Sequence, residues 1–200
     1  MINDNNLWIF KSALSVKDCN KIIKLGNSKK KKKAVIGKTG EKVILNKKER
    51  ISDVSFLTDK WLYGIIDNFV ITANKNANWN AEISWHEEIQ FTTYTKNGHY
   101  DWHMDQFTKP YSEDSHENYR GKIRKLSCVI NLSNPKDYEV GDFFIENQNG
   151  TIKRDILRIT DFKEQGSVIV FPSYLFHKVS PIKKGKRYSL VNWTIGNPWR

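Results

Sequence analysis

The sequence predicts a mainly β protein in which two N-terminal helices form a layer packed on one sheet of a β-sandwich or jelly roll. The first observation is that two stretches within residues 1–80 carry apolar residues at helical spacing. The second is that seven or eight short strand-like runs follow from residue 82 onward, separated by turn-forming residues.

Each predicted helix has a start signal and an apolar stripe. Ser15 is predicted to cap the first helix, with Asp18 in its first turn, and Gly26 is predicted to end it. Its apolar residues are Val16, Cys19, Ile22 and Ile23. Thr58 is predicted to cap the second helix, whose stripe comprises Leu62, Ile65, Ile66, Phe69, Val70 and Ala73.

The predicted strands are separated by glycine, proline and asparagine turns. They are Glu88–Thr95, Leu126–Leu132, Asp142–Glu146, Ile152–Ile159, Ser167–Phe171 and Arg187–Ile195. A short strand is also expected at Lys42–Leu45, within the lysine-rich segment 27–50. The segment Thr108–Arg120 is polar and has no period, which is typical of a mobile lid or of an ordinary surface loop.

Length and composition predict a single domain over residues 1–200, with a helical support region at 1–80 and a jelly-roll core at 82–196. The 200 residues, 38% of them hydrophobic, suffice for one sizeable core. No apolar run is long enough to cross a membrane, and the N-terminus lacks a signal-peptide pattern. Cys19 and Cys128 lie in apolar runs, which fits buried thiols in a reducing cytoplasm. The sequence does not indicate an oligomeric state.

The net charge of +11 is concentrated in one segment. Residues 29–50 hold ten basic and two acidic residues, beginning with the run Lys29–Lys33. Such a cluster is either a solvated loop or a patch for a polyanionic partner such as a nucleic acid. The abundance of Lys, Asn and Ile is typical of an A/T-rich genome, as in some phages and bacteria, and this alone explains much of the lysine.

The stretch "GHYDWHMDQ" contains the pattern His-any-Asp twice, as His99/Asp101 and His103/Asp105. A His and a carboxylate two residues apart on a strand point to the same face, so either pair can bind one metal. His177 enters a new strand after a Pro-Ser turn and is the candidate third ligand, or else a core histidine bonded to backbone. Two histidines and one carboxylate leave three coordination positions open, which suits Fe(II) more than zinc.

The stretch "GKRYSLVNW" adds a candidate anion site. On a strand, Arg187, Ser189, Val191 and Trp193 share one face, and the two apolar members indicate that this face is interior. An arginine pointing inward requires an anion. The anion is either a protein carboxylate or the distal carboxylate of a 2-oxo acid that chelates the metal, to which Tyr94 can donate a further hydrogen bond.

Four blocks of the chain, spread over roughly residues 8–195, resemble the Fe(II)/2-oxoglutarate-dependent oxygenases of the prolyl 4-hydroxylase-like branch, including its bacterial and phage PKHD-type hydroxylases. The blocks are "FKSALSVKDCNKIIKLG", "EEIQFTTYTKNGHYDWHMD", "RKLSCVINLSNPKDYEVGDFFI" and "GSVIVFPSYLFHKVSPIKKGKRYSLVNW". They occur in the family's order. One departure is Val140-Gly141-Asp142, where the family usually has two glycines before the acid.

The resemblance implies a double-stranded β-helix fold, with His103, Asp105 and His177 as iron ligands. It implies that Arg187 binds the distal carboxylate of 2-oxoglutarate, helped by Ser189 and Tyr94. The family spacing of a Gly and an aromatic residue before the ligand His favours the second pair, and Asp105 argues against a halogenase. The implied reaction uses Fe(II), 2-oxoglutarate and O₂, with ascorbate as reductant, and hydroxylates a prolyl or other side chain of a protein or peptide, releasing succinate and CO₂.

Four further residues are candidate substrate contacts. Tyr100 and Trp102 would exclude water from the site, and Arg124 would face its mouth, with a surface salt bridge as the alternative. Trp193 lies on the interior face that it shares with Arg187. One rival function is a nucleic-acid base demethylase of the same fold, which the resemblance disfavours because Trp193 stands where that family has a second Arg. The other is a non-catalytic jelly-roll module that binds through Lys29–Lys33.

Overall fold

The computed structural model describes residues 6–35, 45–147 and 155–199. Within them the chain forms two α-helices, α1 (Val16–Ser28) and α2 (Lys60–Asn76), two short 3₁₀-helices (Pro135–Asp137 and Thr160–Lys163) and fifteen strands. The strands are β1 (Trp8–Phe10), β2 (Lys32–Lys33), β3 (Arg50–Ile51), β4 (Asp53–Leu57), β5 (Trp85–His86), β6 (Ile89–Tyr94), β7 (His99–His103), β8 (Ile123–Asn131), β9 (Tyr138–Val140), β10 (Phe143–Asn147), β11 (Asp155–Arg158), β12 (Val168–Pro172), β13 (His177–Val179), β14 (Ile182–Gly185) and β15 (Arg187–Gly196).

The strands form a large sheet, a small sheet and a two-stranded ribbon. The order in the large sheet is β1-β12-β8-β15-β6-β4-β2, with β5 pairing to β15. The small sheet has the order β11-β10-β13-β7-β3, and the ribbon pairs β14 with β9. The mainly β architecture with two helices confirms the predicted fold class.

Two apolar cores place the helices on one face of the large sheet and the small sheet on its other face. The first core joins α1 and α2 to the outer face of the large sheet, and includes Cys19, Ile22, Leu62, Ile66, Phe91 and Leu190. The second core lies between the sheets and includes Val129, Ile145, Ile169, Phe171 and Val179. The functional site lies beside this second core, because its residues come from the facing strands of the two sheets.

Helix α1 corrects one prediction about its end. The Ser15 side chain accepts a hydrogen bond from the Asp18 amide, as the capping pattern indicated. The helix nevertheless continues past Gly26 to Ser28. Gly26 is buried inside the helix, and a Cβ at this position would lie 2.3 Å from the Phe91 ring. The glycine therefore allows the helix to approach the sheet closely instead of ending the helix.

Helix α2 begins one residue later than predicted, since Asp59 and not Thr58 occupies the N-cap position. Its buried residues are Leu62, Ile66, Val70 and Ala73, which belong to the predicted stripe. The region 1–80 is not only helical, because it also contributes β1 and β4 to the large sheet and β3 to the small sheet. β1 and β3, of three and two residues, are too short for sequence periodicity to predict, whereas β4 has five residues and was missed as well.

Two predicted strands fall partly outside the described residues, whereas the predicted polar loop lies within them. Of the strand predicted at Lys42–Leu45, residues 42–44 lie outside the described residues. Residues 152–154 of the strand predicted at Ile152–Ile159 also lie outside the described residues, and its described part contains β11 (Asp155–Arg158). The segment Thr108–Arg120 contains turns and no helix or strand.

Candidate metal centre

The two candidate histidines face each other on neighbouring strands of the small sheet. β13 pairs antiparallel with β7, and the pairing register places His177 directly opposite His103. Asp105 follows His103 by two residues, just beyond the end of β7. His103, Asp105 and His177 are all buried, and each offers a ligand atom within 4.8 Å of the other two.

Backbone carbonyls fix the orientation of both imidazole rings. The Nδ1 atom of His103 lies 2.7 Å from the carbonyl oxygen of Asp101, and that of His177 lies 2.9 Å from the carbonyl oxygen of Leu175. A ring that donates its Nδ1–H to a carbonyl keeps a lone pair on Nε2. The Nε2 atoms lie 3.6 Å and 3.5 Å from the two oxygens of the Asp105 carboxylate. All three donor groups therefore converge on one point.

The carboxylate of Asp105 is held in its ionised form. Burial alone would raise the pKa of Asp105, but His177 and His103 outweigh burial and keep the pKa well below its usual range. The hydroxyl of Ser127 also donates to Oδ2 of Asp105 at 2.7 Å. An ionised, oriented carboxylate is the form in which Asp binds a metal.

His177 is available as a neutral ligand. Burial, together with the neighbouring His103, lowers the pKa of His177 to about 4, although Asp105 acts in the opposite direction. Near neutral pH the ring is uncharged, and no proton has to leave before its Nε2 can bind a cation. Two imidazoles and one carboxylate form a donor set that fits Fe(II), with coordination positions left for other ligands.

The first His-Asp pair of the motif is engaged elsewhere. His99 makes hydrogen bonds to the carbonyl oxygens of Asn97 at 2.9 Å and Lys48 at 3.1 Å. Asp101 is exposed, and its carboxylate accepts a hydrogen bond from the Trp102 amide. Within residues 6–35, 45–147 and 155–199, the cluster with metal-binding geometry is the second pair with His177.

The face of β15 that begins at Arg187 lines a cavity next to the centre. Arg187, Ser189, Val191 and Trp193 all line this cavity, together with His103, Asp105 and His177. Arg187 is 2% exposed, and its Nη1 atom has no hydrogen-bond partner among the described residues. Tyr94 pairs with Arg187 across β6 and β15, and the guanidinium carbon lies 5.6 Å from the centre of the Tyr94 ring. A buried cation with an unused donor fits an anionic ligand.

Arg124 is committed to a buried ion pair. Its Nε and Nη2 atoms donate to the two carboxylate oxygens of Glu87 at 2.5 Å and 2.6 Å, and Nη1 donates to the backbone carbonyl of Asp105 at 3.2 Å. The hydroxyl of Tyr111, in the polar segment 108–120, donates to Glu87 at 2.6 Å. These contacts link Arg124 to the metal centre through the backbone. The salt bridge that was the alternative for this residue is present, but it is largely buried instead of lying on the surface.

Three aromatic residues flank the centre. The ring of Tyr100 stacks on His103 with 3.4 Å between centroids. Trp193 lies beneath the Arg124 guanidinium, whose carbon is 3.9 Å from the ring centre. Trp102 lines an outer groove of about 420 Å³ that also contacts His103 and Asp105. Burial raises the pKa of Tyr100 to about 12, so its hydroxyl stays protonated.

Sequence reasoning missed two residues of this region. Glu87 is the carboxylate that neutralises Arg124. In the sequence it stands beside Glu88, and nothing there indicates which of the two glutamates has this role. Arg50 is 7% exposed and lines both the inner cavity and the outer groove. The signal for Arg50 was available, because it is the one arginine in a basic segment otherwise made of lysines.

A buried two-histidine, one-carboxylate site inside a jelly roll defines the class of non-haem Fe(II) oxygenases. The model of the 2OG-Fe(II) oxygenase superfamily matches residues 89–195, more than half of the chain, and the chain belongs to this family. This family is the one that the sequence blocks resembled.

Relatives with curated names share the central part of the chain. A PKHD-type hydroxylase of Pseudoalteromonas atlantica is 33% identical over 104 residues, which cover 52% of this chain and 41% of that protein. The PKHD-type hydroxylase PiuC of Pseudomonas aeruginosa is 28% identical over 104 residues, with the same coverage. The matches thus span less than half the length of these relatives.

Solved structures support the fold at low identity. A prolyl-4-hydroxylase of Pseudomonas putida superimposes with a TM-score of 0.64 at 16% identity, over 94% of this chain and 91% of that one. A Trichoplax adhaerens prolyl hydroxylase, in complex with a hypoxia-inducible-factor peptide fragment, gives a TM-score of 0.62 at 15% identity, over 95% and 83% of the two chains. No helix within the described residues is long and apolar enough to span a membrane.

Proposed function

We propose that the chain is an Fe(II)- and 2-oxoglutarate-dependent dioxygenase that hydroxylates a prolyl or other side chain of a protein or peptide substrate. The observation that carries this proposal is the convergence of His103, Asp105 and His177 beside the unpaired guanidinium of Arg187. His103, Asp105 and His177 would hold the iron. Arg187 would bind the distal carboxylate of 2-oxoglutarate, with Ser189 and Tyr94 beside it.

The bound iron and 2-oxoglutarate would supply the activation of O₂ that inserts one oxygen into a substrate C–H bond and releases succinate and CO₂. The protein's own contribution is orientation and exclusion of water. Tyr100 and Trp193 form walls of the inner cavity, and Trp102 lines the outer groove. The donors of Arg124 are used by Glu87 and Asp105, which favours a positioning role for Arg124 over direct contact with the substrate.

The names of the relatives support a prolyl or other side chain as the substrate, and the neighbour that binds a peptide supports a macromolecular substrate. We also propose ascorbate as the reductant, a single domain over residues 1–200 and a cytoplasmic location. The last of these is supported by Cys19 and Cys128, which are both buried and unpaired. Buried free thiols are typical of proteins in reducing compartments.

An anaerobic titration of the metal-free protein with Fe(II) and 2-oxoglutarate tests the proposal. A visible charge-transfer band is expected in the wild type, and it should be absent or weakened in His103→Ala and Arg187→Ala. His99→Ala is the matched control, since His99 belongs to the first pair, and it should retain the band. A folded wild-type protein without the band would contradict the proposal, and a loss of the band in His99→Ala would move the metal site to the other pair.

A further inference from the structure

Arg50 is a buried cation at the entrance of the site. It lies on β3, directly opposite Tyr100 on β7, and its guanidinium carbon is 4.4 Å from the centre of the Tyr100 ring. Its Nε atom donates to the hydroxyl of Ser52 at 3.1 Å. Its two terminal nitrogens have no hydrogen-bond or ion-pair partner within residues 6–35, 45–147 and 155–199, although the side chain is 7% exposed. Neither nitrogen is among the fully enclosed unpaired atoms of the described residues, so both remain accessible to a ligand in the adjoining spaces.

Arg50 lines both the inner cavity and the outer groove. The inner cavity and the outer groove share six lining residues, and the zone between them is called the throat here. These residues are Arg50, Gln90, Tyr100, His103, Asp105 and Trp193. Trp193 adds a second unused donor, because its buried Nε1 atom also has no partner among the described residues. A ligand segment that fills this throat therefore meets an excess of donors, and it needs acceptor groups to satisfy them.

The other two arginines of the site, Arg124 and Arg187, differ from Arg50 in their partners or in their depth. Arg124 is neutralised by Glu87 through two hydrogen bonds. Arg187 lines the inner cavity but not the outer groove, so an anion that it binds lies deeper. Glu49, the neighbour of Arg50 in the sequence, also lines the groove, but no ion pair joins the two side chains among the described residues. Arg50 is thus the cation that faces the substrate side of the site without a carboxylate from the described chain.

The aromatic stacking sets where an anion on Arg50 would lie. The guanidinium packs on one ring, Tyr100, which in turn stacks on His103 at 3.4 Å. Since the planar fork of an arginine matches a carboxylate in bidentate geometry, a carboxylate on Arg50 would sit one aromatic ring away from the metal ligand. Beyond the throat, the exposed apolar side chains Val35, Phe56 and Met104 line the groove and offer contacts for flanking residues of an extended chain.

We propose that Arg50 determines substrate specificity by binding a carboxylate of the substrate close to the carbon that reacts, so that the substrate is an acidic peptide segment. This inference rests on the proposed function and names the chemical class of its substrate. The carboxylate belongs to an Asp or Glu side chain beside the target residue, and a free amino acid is the other source of the same group.

Binding of matched peptides tests this inference. Blocked pentapeptides with a central proline carry either Glu or Gln next to it, and their dissociation constants are measured by anaerobic calorimetry in the presence of Fe(II) and 2-oxoglutarate. Free L-proline and L-prolinamide form a second pair that tests a free amino acid as the source. The wild type, Arg50→Gln, Arg50→Lys and Lys47→Gln are compared. Lys47→Gln is the matched control, because it removes a positive charge from the same segment outside the groove.

In the wild type, the acid member of one pair should bind about tenfold more tightly than its amide, the size expected for a charge-assisted hydrogen bond. Arg50→Gln should abolish this preference, Arg50→Lys should retain only part of it and Lys47→Gln should leave it intact. A preference within the peptide pair identifies a peptide side chain as the source of the carboxylate. A preference within the proline pair identifies a free amino acid as that source. Equal affinities within both pairs, no binding at all, or a preference that survives in Arg50→Gln would overturn the proposal.

The charge-transfer band separates this outcome from a failure of the proposed function. Arg50→Gln should keep the band, because Arg50 is not one of the three metal ligands and the distal carboxylate of 2-oxoglutarate is assigned to Arg187. A band without any acid preference would refute the role of Arg50 and leave the oxygenase proposal standing. An acid preference in a protein without the band would support the carboxylate site and refute the oxygenase proposal.

Discussion

The hydroxyl of Ser127 donates a 2.7 Å hydrogen bond to Oδ2 of Asp105 and lies 2.9 Å from the hydroxyl of Ser173. Ser127 is on β8 of the large sheet, whereas Asp105 follows β7 of the small sheet. The bond therefore fixes the carboxylate from the opposite sheet. Oδ1 of Asp105 is then left to face His103, at 3.6 Å from its Nε2.

Replacement of Ser127 by Ala is expected to weaken Fe(II) binding by about 10- to 100-fold, the range found when a partner of a metal ligand is removed. The reason is that Asp105 loses the bond that fixes its orientation. The dissociation constant for Fe(II) is measured by anaerobic titration. Ser173→Ala is the control, because Ser173 contacts Ser127 and not Asp105, and its effect should be smaller. An unchanged affinity in Ser127→Ala would show that the hydroxyl does not position Asp105.

Arg187→Met is expected to reduce 2-oxoglutarate affinity by about 100-fold while leaving the unfolding free energy of the ligand-free protein unchanged or about 1 kcal/mol higher. The stability does not fall because the Nη1 donor of Arg187 has no partner to lose. Ligand titration and urea denaturation measure the two quantities. A loss of stability of about 3 kcal/mol or more, as expected for a broken buried ion pair, would indicate that an internal partner holds Arg187.

The helical and β layers of the fold could be predicted because the sequence signals for helices and strands are local. Helical spacing in α2 and turn residues between strands need only neighbouring residues. The Asp105–Ser127 and Arg124–Glu87 contacts join residues 22 and 37 positions apart. Periodicity carries no information about such pairs, which depend on the register between strands. His177 could be proposed from its strand entrance, but only the pairing of β13 with β7 places it opposite His103.

The roles of glycine positions also depend on contacts that local sequence signals do not reveal. Gly26 had the signature of a helix end, yet its role is to leave room for Phe91 across the helix–sheet contact. Conversely, Val140 stands where the family usually has glycine, and the structure gives it a φ of 69°. The sequence identified this departure, but the backbone geometry was needed to show its cost.

The stability of the metal-free protein is expected to decrease as the pH falls from about 6.5 to about 4. An unfolded histidine has a pKa of about 6.5, whereas burial and His103 lower the pKa of His177 to about 4. Within this window the unfolded chain binds a proton that the folded protein does not, which costs ~3 kcal/mol in total. Urea denaturation at several pH values measures the slope.

His177→Gln should reduce this pH dependence by the contribution of one bound proton. The control is His116→Gln, at an exposed position of the polar segment 108–120, which should leave the pH dependence unchanged. If His177→Gln keeps the wild-type slope, the proton uptake belongs to another group. The pKa of Asp105 lies below its usual range, so its contribution is lost only under more acidic conditions than the window of His177.

Glu87→Gln is expected to destabilise the protein by about 3–5 kcal/mol, because it leaves Arg124 buried without a counter-charge. Burial by itself would lower the pKa of Arg124, but Glu87 reverses this effect and raises it. The double variant Glu87→Gln/Arg124→Met should recover most of the loss. Urea denaturation of the two single variants and the double variant forms the cycle. Additive losses in the double variant would refute the coupling between these residues.

Val140→Gly is expected to stabilise the protein by about 1 kcal/mol. Val140 is β-branched and half exposed, and its φ of 69° lies in the left-handed region that favours glycine. Relief of about 1–2 kcal/mol of backbone strain exceeds the roughly 0.5–1 kcal/mol that glycine costs in chain entropy. Val16→Gly, at the exposed first residue of α1, is the control and should destabilise, since no strain is relieved there. Thermal unfolding compares the two, and destabilisation by Val140→Gly would show that the Val140 side chain contributes more than its backbone costs.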